Sequence, residues 1–239
     1  MIIDIHTHVL PGVDHGAENW NMSLKMLIKS AHCGVKAVIA TPHYWPWAKG
    51  VTADVICKRC KEAEERLQNE YGITMDIFPG NEIYYSSETV DALKAGKALT
   101  LGGSRYVLVE FEPEVSYQLL CRAARDLCFN GYIPIFAHVE RYQALNRVDK
   151  LIELREMGAY LQVNISSLQG GLLDLGSNKV KRWLKIGLID FVASDMHDLD
   201  TRSPMSSKSI EWIKNKLSSQ YQDKLLFGNA KGILPEIKV

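Results

Sequence analysis

The sequence has no surplus of charge: 28 basic residues face 28 acidic ones in 239 residues, a formal net charge of zero. That balance removes the electrostatic footprint of a nucleic-acid binder and leaves only a local basic patch as a route to one. No apolar run approaches the ~20 residues that span a bilayer, so no direct membrane insertion is expected. The opening Met1-Ile2-Ile3-Asp4-Ile5-His6 lacks the basic stretch and small-residue cleavage site of a secretory signal. Cysteines number five, an odd count at irregular spacing, which argues against a disulfide framework. Internal repeats, low-complexity segments and linkers rich in Pro, Gly or Ser are missing too. These absences point to a cytoplasmic protein with reduced thiols and a single domain over residues 1–239. The 46% hydrophobic content is enough for one large core.

Histidine is also sparse, at seven residues, but it is not scattered. His6-Thr7-His8, Thr41-Pro42-His43, His138 and Ser194-Asp195-Met196-His197 each follow an apolar, strand-like run, and His15 lies in the loop after the first pair. Imidazole is the commonest protein metal ligand, and carboxylate is its usual companion in hydrolytic sites. Glu82 follows Pro79-Gly80-Asn81, and Glu110 sits inside the apolar run 107–111. A carboxylate there is costly to bury alone, and either a metal ion or an arginine would relieve it.

The pattern predicts strands over 2–5, 37–40, 74–78, 106–111, 133–137, 160–164 and 191–193, several of them continuously apolar as in a parallel sheet buried on both faces. Helical patterns over 22–33, 53–70, 117–129, 150–157, 179–186 and 207–217 separate them. A (β/α) barrel and a doubly wound open sheet both fit this alternation. The barrel is favoured because candidate ligands follow six of the seven runs, and barrels place function at the C-terminal ends of many strands.

His6-x-His8, Thr41-Pro42-His43, Glu82, His138-Val139-Glu140-Arg141 and Ser194-Asp195-Met196-His197 resemble the polymerase and histidinol phosphatase (PHP) superfamily of metal-dependent phosphoesterases. Asp4 to Asp14, Asn81-Glu82-Ile83 and Leu108-Val109-Glu110-Phe111 sharpen the resemblance to one branch. It is that of the bacterial manganese-dependent protein-tyrosine phosphatases of capsule and exopolysaccharide operons. The resemblance implies an α/β fold, a distorted seven-stranded (β/α) barrel with up to three metal ions. Manganese is favoured, with iron or zinc as alternatives.

Residue by residue, it implies a first ion held by His6, His8, Glu82 and Asp195. Glu82 would bridge to a second ion that adds Glu110 and His138. A third would take His43, His197 and a loop residue. That branch usually has two adjacent aspartates before the loop glycine; here the chain reads Asp14-His15-Gly16, so His15 is the expected ligand and Asp14 is not. Arg141 and Arg202 match the phosphate-binding arginines, whose planar fork suits a phosphoryl group. Tyr44 stands where a second histidine is common. With Trp45, Trp47 and Tyr84 it would make either an aromatic wall for substrate or a partly buried apolar loop.

The implied substrate is the phosphorylated tyrosine-rich tail of a bacterial tyrosine kinase that regulates capsule or exopolysaccharide synthesis. The alternatives are a small-molecule phosphomonoesterase of the histidinol-phosphatase type and a weakly catalytic kinase-binding module. Oligomeric state is not encoded in any motif. Cys60-(x5)-Arg66 matches the spacing of cysteine-dependent phosphatases, but the five residues between are helical and include three acids, so no anion loop forms. Cys57-x-x-Cys60 on the same helix and His32 late in the first helix are read as structural.

Overall fold

Runs of aliphatic and β-branched residues such as Val35–Ala40 (VKAVIA) and Tyr106–Glu110 (YVLVE) build the strands, as expected where both faces of a sheet are covered. The structure is a computed structural model that describes residues 1–48, 50–171 and 174–234; the remainder of the expected domain lies outside the described residues. Strands β1 (Ile2–Thr7), β2 (Val35–Ala40) and β4 (Asp76–Pro79) form one sheet. Strands β3 (His43–Tyr44), β5 (Glu82–Tyr84), β6 (Tyr106–Glu110), β7 (Ile133–Phe136), β8 (Tyr160–Asn164) and β9 (Phe191–Ala193) form a second, in that order. Every pairing is parallel.

Only two residues separate β2 from β3, and two separate β4 from β5. Pro42 has no N–H to continue a ladder. At Gly80 a Cβ would sit 2.9 Å from Leu101 Cδ2 and 3.1 Å from Ile39 Cγ2, so any side chain there would have to displace these two methyls. Asn81 joins the two breaks by donating to Pro42 O at 2.7 Å and accepting from Leu99 N at 2.9 Å. Beyond the breaks, His43 and Glu82 are paired in register.

The sheet curls until β1 meets the chain after β9. The contact is a single bridge, Thr7 to Met196, flanked by Asp195 N to His6 O at 2.9 Å and His8 N to Met196 O at 3.0 Å. Lower on this seam, Asp4 Oδ1 accepts from Ser194 N at 3.0 Å in place of a ladder bond. Inside the curl lie Ile3, Ile5, Ile39, Leu108, Ile135 and Phe191. Ala230, Ile233 and Leu234, which follow a π-type turn over Lys224–Gly228, belong to the same cluster.

Helices cover the outer face. They are α1 (Trp20–His32), α2 (Ala53–Tyr71), α3 (Thr89–Lys94), α4 (Tyr117–Phe129), α5 (Val148–Glu156), α6 (Leu175–Lys185), α7 (Ser207–Lys216), α8 (Ser219–Asp223) and α9 (Asn229–Lys231). Asn19, Ser116 and Asp174 cap α1, α4 and α6 by accepting from backbone N–H groups. Gly72, at φ 67°, ends α2 in the left-handed conformation that glycine tolerates. Leu24, Leu27, Leu67, Leu127, Leu154 and Trp183 pack these helices onto the sheet. Among the described residues no helix is long and apolar enough to cross a membrane. The architecture is a curled parallel α/β sheet; the expected strands appear, and two short strands that the pattern did not predict, β3 and β5, follow the breaks at Thr41-Pro42 and Gly80-Asn81.

Candidate metal centre

The strand ends bring the histidines and carboxylates together. Four fully buried residues, His6 near the end of β1, His8 just after it, Glu82 at the start of β5 and Asp195 after β9, place one ligand atom each within 4.8 Å of one another. His6 Nε2 lies 3.1 Å from Glu82 Oε2 and 3.4 Å from Asp195 Oδ1; His8 Nε2 lies 3.2 and 3.5 Å from the same atoms. His43, Glu82 and Glu110 form a second group, and His8, His43 and His197 a third. His138 joins from β7, with Nε2 2.8 Å from Glu82 Oε1 and 3.8 Å from Glu110 Oε2.

Two of these residues have unusual backbones. His138 (φ 33°) and Asp195 (φ 52°) are the non-glycine residues at positive φ among those described. Side chains seldom adopt this region, and such outliers gather at functional sites. Gln162 holds the first by accepting from His138 N at 2.8 Å; the second is tied by Asp195 N to the first strand.

The electrostatics are those of a cation site. Burial opposes a charge on His8, yet Asp14 and Glu82 lift its pKa to about 10. Burial likewise opposes charge on His6, but Glu82 and Asp195 raise it. Burial would raise Glu82 and Asp195, but His6 leads the neighbours that hold both well below the usual carboxylate range. His197 is pushed down, first by burial and then by His8 and Arg202. His43 Nε2 and His197 Nε2 are buried without a hydrogen-bond partner, and Glu82 Oε2 faces the His6 and His8 Nε2 atoms without a well-aligned hydrogen bond. Mixed imidazole and carboxylate donors with unused lone pairs fit divalent ions of the manganese, iron or zinc type.

His15 is exposed and stands at the edge of the cluster, its ring stacked on His43 at 4.6 Å and 4.7 Å from His197. Asp14 turns inward instead: Oδ2 lies 2.6 Å from His8 Nδ1, and Oδ1 accepts from Gly16 N at 2.9 Å. The arginines converge on one carboxylate. Arg141 Nη2 lies 2.7 Å from Asp195 Oδ2, and Arg202 Nη2 touches both oxygens of the same residue. Burial is the largest single influence on Arg141 and would lower it, but Asp195, Glu140 and Glu82 together outweigh it and its pKa rises.

A cleft of about 290 Å³ opens over the cluster, lined by His15, His43, Trp45, Tyr84, Glu110, Arg141 and Arg202 among others. Trp45 lies nearly parallel to His43, with ring centres 4.9 Å apart. Trp47 is exposed and packs edge-on against Tyr84, whose hydroxyl donates to Glu112. Tyr44 does not join this wall. Side chains alternate along β3, so with His43 facing the cluster Tyr44 faces the other way, beside Val51 and Lys97 in a separate groove. Another groove, of about 480 Å³ around Arg155 and Asp190, contains none of the clustered ligands.

Sequence reasoning passed over β8. Gln162 and Asn164 are buried at 0% and 3% exposure, and Asn164 Nδ2 donates to Asp195 Oδ2 at 2.7 Å. Their signal was two amides at alternate positions of an otherwise apolar strand, which must find partners there. Asp4, fully buried at the seam, was passed over for the same reason.

Known proteins share this arrangement of chain. The chain is 31% identical over 243 residues to the tyrosine-protein phosphatase CpsB of Streptococcus agalactiae serotype V, covering 98% of both. It is 30% identical to the tyrosine-protein phosphatase YwqE of Bacillus subtilis (strain 168), covering 92% of this chain and 86% of that one. Among solved structures it matches a chain from the crystal structures of YwqE from Bacillus subtilis and CpsB from Streptococcus pneumoniae, described as unique metal-dependent tyrosine phosphatases. That match has a TM-score of 0.89 at 29% identity and covers 98% and 94% of the two chains. A phosphotriesterase from Mycobacterium tuberculosis, at 13% identity and a TM-score of 0.57, shares the fold alone. The family model for capsular polysaccharide synthesis, CpsB/CapC, matches residues 2–235, and this chain belongs to that family.

Proposed function

We propose that this chain is a metal-dependent phosphotyrosine-protein phosphatase acting on the phosphorylated tyrosine-rich tail of a bacterial tyrosine kinase in capsule or exopolysaccharide synthesis. The observation that carries the reading is the convergence of His6, His8, Glu82 and Asp195 beneath a cleft that also holds two arginines. The names of the matched relatives support the same activity. In this reading the chain is one domain over residues 1–239 and a distorted seven-stranded barrel of the PHP type, with β2–β3 and β4–β5 each counted as one interrupted strand. It works in the cytoplasm.

His6, His8, Glu82 and Asp195 would hold one ion, Glu82, Glu110 and His138 a second, and His43, His197 and His15 a third. The grouping of His43 with Glu82 and Glu110 supports His43 as a further residue that would hold the second ion. Manganese is the ion of choice. When bound, the ions supply electrophilic catalysis and an activated water. Arg141 and Arg202 hold the phosphoryl oxygens and balance the charge that builds on them. Trp45 gives the substrate ring a flat face beside His43, with Tyr84 and Trp47 on the rim. Tyrosine phenolate leaves readily, so no dedicated general acid is required.

The test is hydrolysis of a phosphotyrosyl peptide by chelated protein before and after manganese is restored, with His138→Ala in parallel. Activity should vanish with chelation, return with manganese and stay absent in the variant. Turnover of histidinol phosphate but not of the peptide would move the assignment to small-molecule chemistry.

A further inference from the structure

β8 supplies none of the grouped ligands, yet its two buried amides touch ligands on three other segments. Gln162 Oε1 accepts from His138 N at 2.8 Å and lies 3.2 Å from His6 Nδ1. Gln162 Nε2 donates to Asn164 Oδ1 at 2.9 Å, and Asn164 Nδ2 donates to Asp195 Oδ2 at 2.7 Å. The chain of bonds begins at a backbone N–H, which only donates, and ends at a carboxylate, which accepts. Those two ends fix the orientation of both amides. The atom of Gln162 facing His6 is therefore the oxygen, and a hydrogen bond there requires the proton of His6 to sit on Nδ1. His6 then presents Nε2, the nitrogen aimed at Glu82 and Asp195, as a free lone pair.

We propose that Gln162 is a positioning residue of the metal centre. It keeps His6 in the Nδ1–H tautomer with Nε2 toward the ion, holds His138 in its left-handed conformation, and orients Asp195 through Asn164. The inference rests on the metal-ligand reading above and adds what sets the ligands in place. Partners of this kind fix ring orientation and raise ligand basicity. A leucine of similar volume would fill the space and break every link in the chain. A glutamate would keep the two acceptor contacts of Gln162 Oε1 and lose only the donor to Asn164.

The test uses zinc-loaded full-length protein with ¹⁵N-labelled histidine, read by long-range ¹H–¹⁵N spectra, together with calorimetric zinc affinity. Wild type should show His6 with the proton on Nδ1. Gln162→Leu should lose that signal and bind zinc about 10–100-fold more weakly. Gln162→Glu should restore the signal. A wild-type His6 carrying its proton on Nε2 would overturn the proposal without any variant, so a leucine variant that fails to fold does not shield it. A leucine variant with unchanged signal and affinity would overturn it as well. Protein that takes up no zinc would overturn the metal-ligand reading and this inference with it; zinc uptake with the other tautomer would overturn this inference alone.

Discussion

Arg202 places a single guanidinium nitrogen, Nη2, 2.6 Å from Oδ1 and 2.7 Å from Oδ2 of Asp195. The same carboxylate faces His6 and His8, so Arg202 links the ligand cluster to the cleft above it. Removing it as Arg202→Ala should lower kcat/KM on a phosphotyrosyl peptide by about 10²–10³-fold, the usual cost of one preorganised charge donor. Arg202→Lys should recover little, because a point charge does not replace the planar fork. Steady-state kinetics on the peptide decide this, and an unchanged kcat/KM in the alanine variant would remove Arg202 from catalysis.

Metal affinity should rise with pH. His6 and His8 both have raised pKa values in the metal-free protein, His8 to about 10, so at neutral pH an incoming ion must displace their protons. Each displaced proton makes affinity climb about tenfold per pH unit, up to the pKa of the group. Asp14→Asn removes the charge 2.6 Å from His8 and should flatten the slope. Manganese titrations against a competing chelator between pH 6 and 8.5 measure both slopes; equal affinity across the range would show that the histidines enter neutral.

Asp4 should make the metal-free protein less stable as pH rises. Burial is the main cause that lifts its carboxyl from 3.8 to about 6, against the bonds from Ser194 and His6. The folded state therefore holds this proton more tightly than the unfolded chain. The advantage is complete below 3.8 and is lost as pH climbs through about 6, a change of about 3 kcal/mol. Asp4→Asn lacks this dependence, so the stability of the variant relative to wild type should increase by most of that amount between pH 4 and 7. Urea unfolding of chelated proteins at the two ends of the range tests it.

Gly16 should accept no side chain. A Cβ there would fall on the carbonyl oxygen and Cβ of His8, whose ring is one of the clustered ligands. Gly16→Ala should therefore lower the melting temperature by several degrees, in line with an overpacking cost of about 1–3 kcal/mol. It should also weaken metal uptake. Calorimetry with and without manganese separates the two effects; a variant with wild-type melting and metal content would mean the loop simply shifts.

Trp45 and Tyr44 are neighbours with opposite orientations. Trp45→Ala should raise KM for aryl phosphates while leaving kcat within a few-fold, if, as proposed, the wall binds the ring and does no chemistry. Tyr44→Ala should leave KM where it was, because that side chain lines a different groove. Equal effects of the two substitutions would contradict the placement.

Much of the centre was legible because its residue types are conspicuous in their setting. A histidine or carboxylate at the end of an apolar run has few structural explanations, so His6, His8, Glu82, His138 and Asp195 stood out. The amides Gln162 and Asn164 did not, because an amide in a strand carries no ligand signature until its neighbours are known. For Tyr44 both a wall and a partly buried loop stayed open, because an aromatic beside a ligand fits either and only the two-residue strand at His43 decides which way it faces. Pro42 and Gly80 were visible as residues, but the division of hydrogen bonds into two sheets depends on how the halves of the interrupted strands pair. The packing of residues 224–234 into the interior was likewise hidden, since a short π-type turn has no clean periodicity.

That last packing imposes an order of assembly during synthesis. Ala230, Ile233 and Leu234 share a cluster with Ile3 and Ile5, contacts spanning more than two hundred residues of chain. His6 and His8 likewise meet Asp195 only after β9 has been made. Such distant contacts come late, after the loop-closure entropy between them has been overcome. A nascent chain released before residue 224 would carry an uncovered apolar interior, a natural target for chaperones or for aggregation. Completion of this fold therefore waits until residues 224–234 have been made, and the candidate metal centre cannot be loaded as a finished site before β9 and Asp195 emerge.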